Sequence, residues 1–327
     1  MASLVIRFDF RTPSFGKASA DEIYRESIEM AAWADARGFG TIALSEHHSV
    51  EQGYLSSPLV MSGVMAGRTR NARILTVALL APLYHPIRLA EDLALLDVAS
   101  GGRVTAVGGL GYRRVEYRAL GVDFHRRGRL FDECLEVLFR AWSGEPFEYR
   151  GETICVSPRP ASDPSMLIEV GGSSAPAARR AARFGLRFCP PLHDPELNEI
   201  YFAECARLGK EALPVNDPGE PWMLFVSQDP ERSWAEIGPH LLHDAISYAG
   251  WQTGNQRSYQ HSDAFTIETL RESMIYRILT PEECVAYGRE AGEDASFRLF
   301  PLGGGIPPEL GWKSLELFAD KVLPRFE

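Results

Sequence analysis

The feature that most restricts the fold is a repeated alternation: short β-branched or apolar runs separated by stretches with helical spacing. Such an order marks successive βα units, which build a mainly parallel sheet with helices packed against it. Strands are expected over Leu4 to Phe10, Thr41 to Ser45, Ile74 to Ala81, Arg103 to Gly108, Met166 to Val170, Leu186 to Cys189, Trp222 to Val226 and Phe297 to Pro301. Eight is the number that closes a barrel, so the expected fold class is α/β, a (β/α)8 TIM barrel with insertions. The chain has 327 residues, a surplus over the ~250 of a typical barrel. Two stretches carry it. Residues 146–156 alternate around Arg150-Gly151 and read as a β-hairpin. Residues 249–276 are polar, irregular and rich in Gln, Ser and Asn, an insertion that serves either as a lid or as a surface contact. Residues 1–327 are therefore expected to form a single barrel domain.

The helical stretches carry their own start and stop signals. Ile23, Ser27, Ala31 and Ala34 share one face of a helix over about Asp21 to Arg37, with Gly38 as its stop. Pro86 opens another, faced by Leu89, Leu93 and Leu96 and ended by Gly101-Gly102. Trp234, Ile237, Leu241, Ala245 and Tyr248 make a long stripe late in the chain, and Thr280-Pro281-Glu282-Glu283 reads as a capped helix start.

Charge and cysteine content exclude several partners. With 34 Lys plus Arg against 44 Asp plus Glu the net charge is −10, whereas nucleic-acid binding needs clustered cations to displace counterions from phosphate. No apolar run approaches the ~20 residues of a membrane span. The five cysteines are odd in number and form no C-x-x-C pair, which suits reduced core thiols in the cytoplasm better than disulfides or zinc.

In a barrel the chemistry sits just past the carboxyl ends of the strands. After the second strand comes Glu46-His47-His48, an acid beside two imidazoles, able to exchange protons near neutral pH or to hydrogen-bond a reactive heterocycle. A metal is not expected there, because H-E-x-x-H is absent and adjacent histidines in an extended segment point apart. His240 and His243, one helical turn apart, read as a solvated polar face. After the fifth strand Gly171-Gly172-Ser173-Ser174 opens a helix, which is either a phosphate seat or an ordinary capped turn. The same stretch fails as a hydrolase elbow, since Ala175 occupies the last position of G-x-S-x-G. Gly108-Gly109-Leu110-Gly111 is not a dinucleotide fingerprint, because Arg114 stands where the third glycine would be. Gly303-Gly304-Gly305 is a second place where backbone can come close to a ligand, or simply a turn.

Together, Glu46-His47-His48, the long block from Ala81 to Arg103, Gly108-Gly-Leu-Gly-Tyr112, Gly121-Val-Asp-Phe, Val170-Gly-Gly-Ser-Ser and Pro301-Leu-Gly-Gly-Gly-Ile-Pro resemble the bacterial luciferase-like family of flavin- or deazaflavin-dependent oxidoreductases. The resemblance covers Phe8 to Gly185 and the last forty residues, and is weak from Leu192 to Arg277. It implies FMN, or alternatively the deazaflavin F420, bound at the strand carboxyl ends. Glu46, His47 and His48 then inherit the catalytic positions. Val77, Ala78, Gly109, Leu110, Tyr112, Gly171, Gly172, Ser173 and Ser174 inherit the cofactor contacts, with a non-proline cis peptide near Val77-Ala78. With FMN, a reductase supplies reduced flavin that reacts with oxygen to oxidise a small organic substrate. With F420, the reaction is hydride transfer. A non-catalytic flavin-binding relative and a cofactor-free barrel hydrolase or aldolase are the competing readings. The resemblance also implies a homodimer. One departure stands out: bacterial luciferase has a reactive cysteine and a phosphate-binding arginine where this chain has Gly109 and Leu110. Light emission is therefore not expected, and Arg113, Arg114 or Arg179 must balance the phosphate.

Overall fold

The computed structural model describes residues 2–217, 222–252, 258 and 260–326. Eleven strands follow one another among them: β1 Ser3–Phe8, β2 Thr41–Leu44, β3 Arg73–Leu79, β4 Val104–Gly108, β5 Phe147–Tyr149, β6 Glu152–Ile154, β7 Ile168–Gly171, β8 Phe188–Cys189, β9 Met223–Val226, β10 Tyr276–Leu279 and β11 Ser296–Leu299. The chain packs as two compact units, one of Met1–Ser56, Arg68–Arg73 and Pro221–Glu327, the other of Ser57–Gly67 and Ile74–Glu220.

In the first unit five parallel strands run in the order β10-β9-β11-β1-β2. Ile6, Phe8 and Phe10 are fully buried, with the Phe10 ring 4.7 Å from Tyr24 of the helix Ala20–Asp35. That helix opens with the reciprocal Ser19 and Glu22 capping box, which satisfies two of its orphan backbone donors. Its buried Asp35 accepts the backbone N–H groups of Arg70, Asn71 and Ala72 at 2.6–2.8 Å, fastening the segment that leads into β3. The long helix Pro230–Trp251 buries the expected stripe. Trp234, Ile237, Leu241 and Ala245 form one apolar cluster with Met223, Phe225, Tyr276 and Ile278 of β9 and β10.

In the second unit four parallel strands run in the order β3-β4-β7-β8. The antiparallel pair β5 and β6 is the expected hairpin, with Arg150 and Gly151 both at positive φ in its turn. Trp142 anchors the preceding helix by donating its indole N–H to the Ala90 carbonyl at 3.0 Å.

The expected strands are all present with ends within two residues of those expected, and two details differ. Met166 and Leu167 belong to a short helix, Pro164–Leu167, capped by Asp163, so the strand starts at Ile168. A further parallel strand, β10, pairs with β9 from Tyr276 opposite Met223 to Leu279 opposite Val226, directly after the stretch read as irregular insertion. Residues 253–257 and 259 of that insertion lie outside the described residues. Gln260, Ser262 and Ala264, which follow, are buried. All five cysteines are free thiols, though Cys155 is exposed rather than in the core.

Candidate active site

The carboxyl ends of β1 and β2 in the first unit bring together most of the unusual chemistry. Past β2 the Glu46 carboxylate is buried, and its Oε1 accepts a hydrogen bond from His48 Nε2 at 2.8 Å. The ring of His48 keeps 18% of its side-chain surface open. His47 points elsewhere, as neighbouring residues in an extended segment must. Its imidazole lies 4.7 Å from the Tyr54 ring, 4.9 Å from Trp251 and 5.9 Å from Tyr248. The hydroxyls of Tyr54 and Tyr248 meet at 2.6 Å. Ser49 at φ 52° ends this segment, and Phe10 at φ 61° lies two residues past β1. Left-handed backbone is costly for residues with a Cβ, and such positions gather at functional sites.

The turn at Phe10 folds Arg11 back on Asp9, so that the Arg11 N–H donates to Asp9 Oδ1 at 3.2 Å. Arg11 and Asp9 are both completely buried. Arg11 Nε stands 2.9 Å from Asp244 Oδ1 and 3.5 Å from Asp9 Oδ2. None of the three guanidinium nitrogens finds a hydrogen-bond acceptor among the described residues. The group lies instead over three aromatic rings, 4.7 Å from Trp251, 5.1 Å from Tyr54 and 5.6 Å from Tyr248. Burial opposes its charge, but Asp244 and Asp9 hold its pKa above the ordinary value.

Burial, with the neighbouring Asp244 carboxylate, pushes Asp9 up to about 6 despite Arg11 and two backbone N–H donors. Asp244 Oδ2 accepts the Tyr276 hydroxyl at 2.6 Å and the Gln260 amide at 3.4 Å. Gln260 in turn accepts from Arg7 at 3.2 Å, and Arg7 also donates to Ser45 Oγ at 2.5 Å. Burial and then the Asp244 carboxylate hold the Tyr276 hydroxyl far above its ordinary pKa.

His240 and His243 correct the expectation of a solvated face. His240 is buried, and its Nδ1 donates to the Gly304 carbonyl at 3.0 Å, which identifies the protonated nitrogen. Phe15, half of whose surface is exposed, covers both rings at 5.1 and 5.6 Å. Burial lowers the pKa of each, and Arg11 adds to the effect at His243. Gly304 is also tied to the carboxylate pair, since its N–H donates to Asp9 Oδ2 at 2.9 Å. A Cβ there would stand 2.2 Å from the His240 carbonyl, at φ 62°, so the triple glycine serves a close backbone packing.

The second unit holds the other expected residues. The Val77-Ala78 peptide is cis. Gly109 lies beside it: a Cβ at 109 would come within 2.9 Å of Ala78 Cβ, which explains why no larger residue stands there. Leu110 contributes its carbonyl, which accepts the Tyr117 hydroxyl, and Tyr112 is half-buried. At the end of β7 Gly171 is buried, Gly172 takes φ 149°, and Ser173 and Ser174 are exposed. Ser174 is the N-cap of the helix Ala175–Phe184, yet its side chain makes no capping hydrogen bond. A hydroxyl unused at a helix N-terminus suits an anion such as a phosphate. Of the arginines expected to balance that charge, Arg113 pairs with buried Glu116 at 3.0 Å, while Arg114, stacked 4.7 Å over Phe124, and Arg179 are exposed. No cluster of three metal-ligating side chains occurs among the described residues.

Reactive acid and imidazole groups at the ends of parallel strands, with helices returning between them, define an α/β enzyme. The luciferase-like monooxygenase family model matches residues 6–295, and the chain belongs to that family. It is accordingly an oxidoreductase of the (β/α)8 TIM-barrel class. Among curated relatives it is 31% identical over 262 residues to the uncharacterized protein y4vJ of Sinorhizobium fredii, covering 77% of this chain and 74% of that one. It is 28% identical over 189 residues to the oxygenase component of the flavin-dependent trigonelline monooxygenase of Acinetobacter baylyi, covering 55% and 52%. The chain thus spans about half the length of that relative. A solved structure with the same fold is the oxygenating constituent of 3,6-diketocamphane monooxygenase from Pseudomonas putida, in complex with FMN, with a TM-score of 0.72, 19% identity and 99% of each chain covered.

The charged cluster of Asp9, Arg11 and Asp244 was not anticipated from the sequence. One signal was present: Arg7, Asp9 and Arg11 repeat at a spacing of two through a strand of aromatic and apolar residues.

Proposed function

We propose that the chain is the oxygenase of a two-protein flavin system. It takes up reduced FMN from a separate reductase and uses oxygen to oxidise a small organic molecule. The observation that carries this reading is the buried Glu46 carboxylate bonded to His48 Nε2 beside a ring-packed His47, in a chain of the luciferase-like family. Reduced flavin would supply two electrons to oxygen. The chain's own groups supply the rest. Glu46 accepts from His48 Nε2 and orients the imidazole that takes or gives a proton. The aromatic wall around His47 keeps water from the reacting region.

Ser173, Ser174 and the turn at Gly172 are proposed for the phosphate, with Arg179 or Arg114 balancing its charge. Val77, Ala78, Gly109, Leu110 and Tyr112 are proposed as contacts to the flavin. A homodimer is supported by four exposed apolar side chains: Val60 and Val64 on the helix Pro58–Arg68, and Leu95 and Val98 on the helix Pro86–Ser100. A cytoplasmic place is supported by the five free thiols. No helix among the described residues is long and apolar enough to cross a membrane.

The test is an absorbance titration of purified protein with FMN and, separately, F420. Saturable FMN binding is expected. Preference for F420 would replace oxygen chemistry by hydride transfer, and binding of neither would overturn the flavin reading.

A further inference from the structure

Three rings that touch His47 are also covered by the Arg11 guanidinium. Tyr54, Tyr248 and Trp251 each contact the imidazole on one hand and the buried cation on the other. The rings also hold one another, through the hydroxyl pair at 2.6 Å and through Trp251, 6.2 Å from Tyr54 and 5.5 Å from Tyr248. We propose that Arg11 is a positioning residue for the candidate catalytic His47, acting through this aromatic clamp. The inference rests on the flavin-oxygenase reading only for its kinetic consequence.

The geometry differs from that of a structural arginine held by a set of directed hydrogen bonds. A buried guanidinium normally places its N–H groups on acceptors, because an unsatisfied donor in the interior is costly. Here none of the three nitrogens has an acceptor among the described residues. The cation is kept in place by charge, from Asp244 at 2.9 Å and Asp9 at 3.5 Å, and by the ring faces. A cation over a ring prefers the centre of the face, so each ring's orientation is tied to where the guanidinium lies. Asp244 is itself held by Tyr276 and Gln260. The chain of restraint therefore runs from β10 through Asp244 and Arg11 to the rings, and from the rings to His47. All of these residues belong to the first unit.

The test uses histidine-labelled protein without cofactor, the His47 signal being assigned with His47→Asn. In the unsubstituted protein the three rings should displace the His47 Hε1 resonance well away from the position of an exposed histidine. Arg11→Met should bring it back toward that position or broaden it, and Arg11→Lys, which keeps the charge but lacks the broad planar guanidinium, should fall between. In reductase-coupled assays Arg11→Met should lower kcat by about tenfold or more while flavin affinity stays unchanged, since misplacing a reacting group costs rate before binding. An unmoved resonance in a folded Arg11→Met protein would overturn the proposal. Should that variant fail to fold, an unmoved resonance in Arg11→Lys would do so. Because the resonance is read without flavin, failure to bind FMN would sink the functional reading and leave this one standing.

Discussion

Replacing Asp9 by Asn isolates the electrostatic cost of the buried carboxylate pair. Burial and the Asp244 carboxylate raise Asp9 from 3.8 to about 6. The folded chain therefore holds this proton more tightly than the unfolded chain does. Stability from this source is fully present below about pH 4 and falls as pH rises toward 6. Above that the residue is ionised in both states and nothing of it remains. At 1.36 kcal/mol per pH unit the whole effect is about 3 kcal/mol, of which about 1.4 is lost between pH 5 and 7.5. Asn cannot ionise, so it removes the dependence. It also gives up one of the two backbone N–H bonds to Asp9, from Arg11 and Gly304, a loss of about 1 kcal/mol at every pH. The groups facing Asp9 are Arg11 and Asp244, with Tyr54 and Tyr276 behind them, and Asn leaves all four in place. Urea unfolding at pH 5 and pH 7.5 is the assay. The wild-type advantage over Asp9→Asn should be larger at pH 5 by about 1.4 kcal/mol. An advantage that is equal at both pH values, or larger at 7.5, would refute the reasoning.

Gly304→Ala should destabilise by about 2 kcal/mol or more, because its Cβ meets the His240 carbonyl at 2.2 Å on backbone at φ 62°; a melt unchanged from wild type would show the loop yields freely. Glu46→Gln should leave FMN affinity intact and lower turnover by about 10²-fold, since the amide brings no negative charge to the His48 imidazole; equal turnover in steady-state assays would remove the pair from the chemistry. Val60→Asp with Val64→Asp should convert a dimer into monomers by light scattering without lowering the melting temperature, as both side chains are exposed on the single chain; an unchanged mass would place the interface elsewhere.

Much of the frame was legible because periodicity and caps are local. The stripe from Trp234 to Tyr248, the Thr280 cap and the hairpin around Gly151 depend on residues a few positions apart. β10 was missed because Arg277 interrupts the apolar residues Ile275, Tyr276, Ile278 and Leu279 and the polar stretch before it masked the start. His240 and His243 read as solvated because what covers them, Phe15 and Gly304, lies far off in sequence. The same distance hid the charged site: Asp9 and Arg11 meet Asp244 only through the tertiary fold. Glu46, His47 and His48 were visible as a motif, yet their split roles, one imidazole on the acid and one among rings, follow from side-chain direction.

The most direct test of the central claim is the reoxidation of reduced FMN on this protein, followed by stopped-flow absorbance after anaerobic mixing and exposure to oxygen. The account predicts that reduced FMN binds and then reoxidises more slowly than free flavin, with His48→Ala removing the delay but not the binding. Reoxidation indistinguishable from free flavin at saturating protein would contradict it.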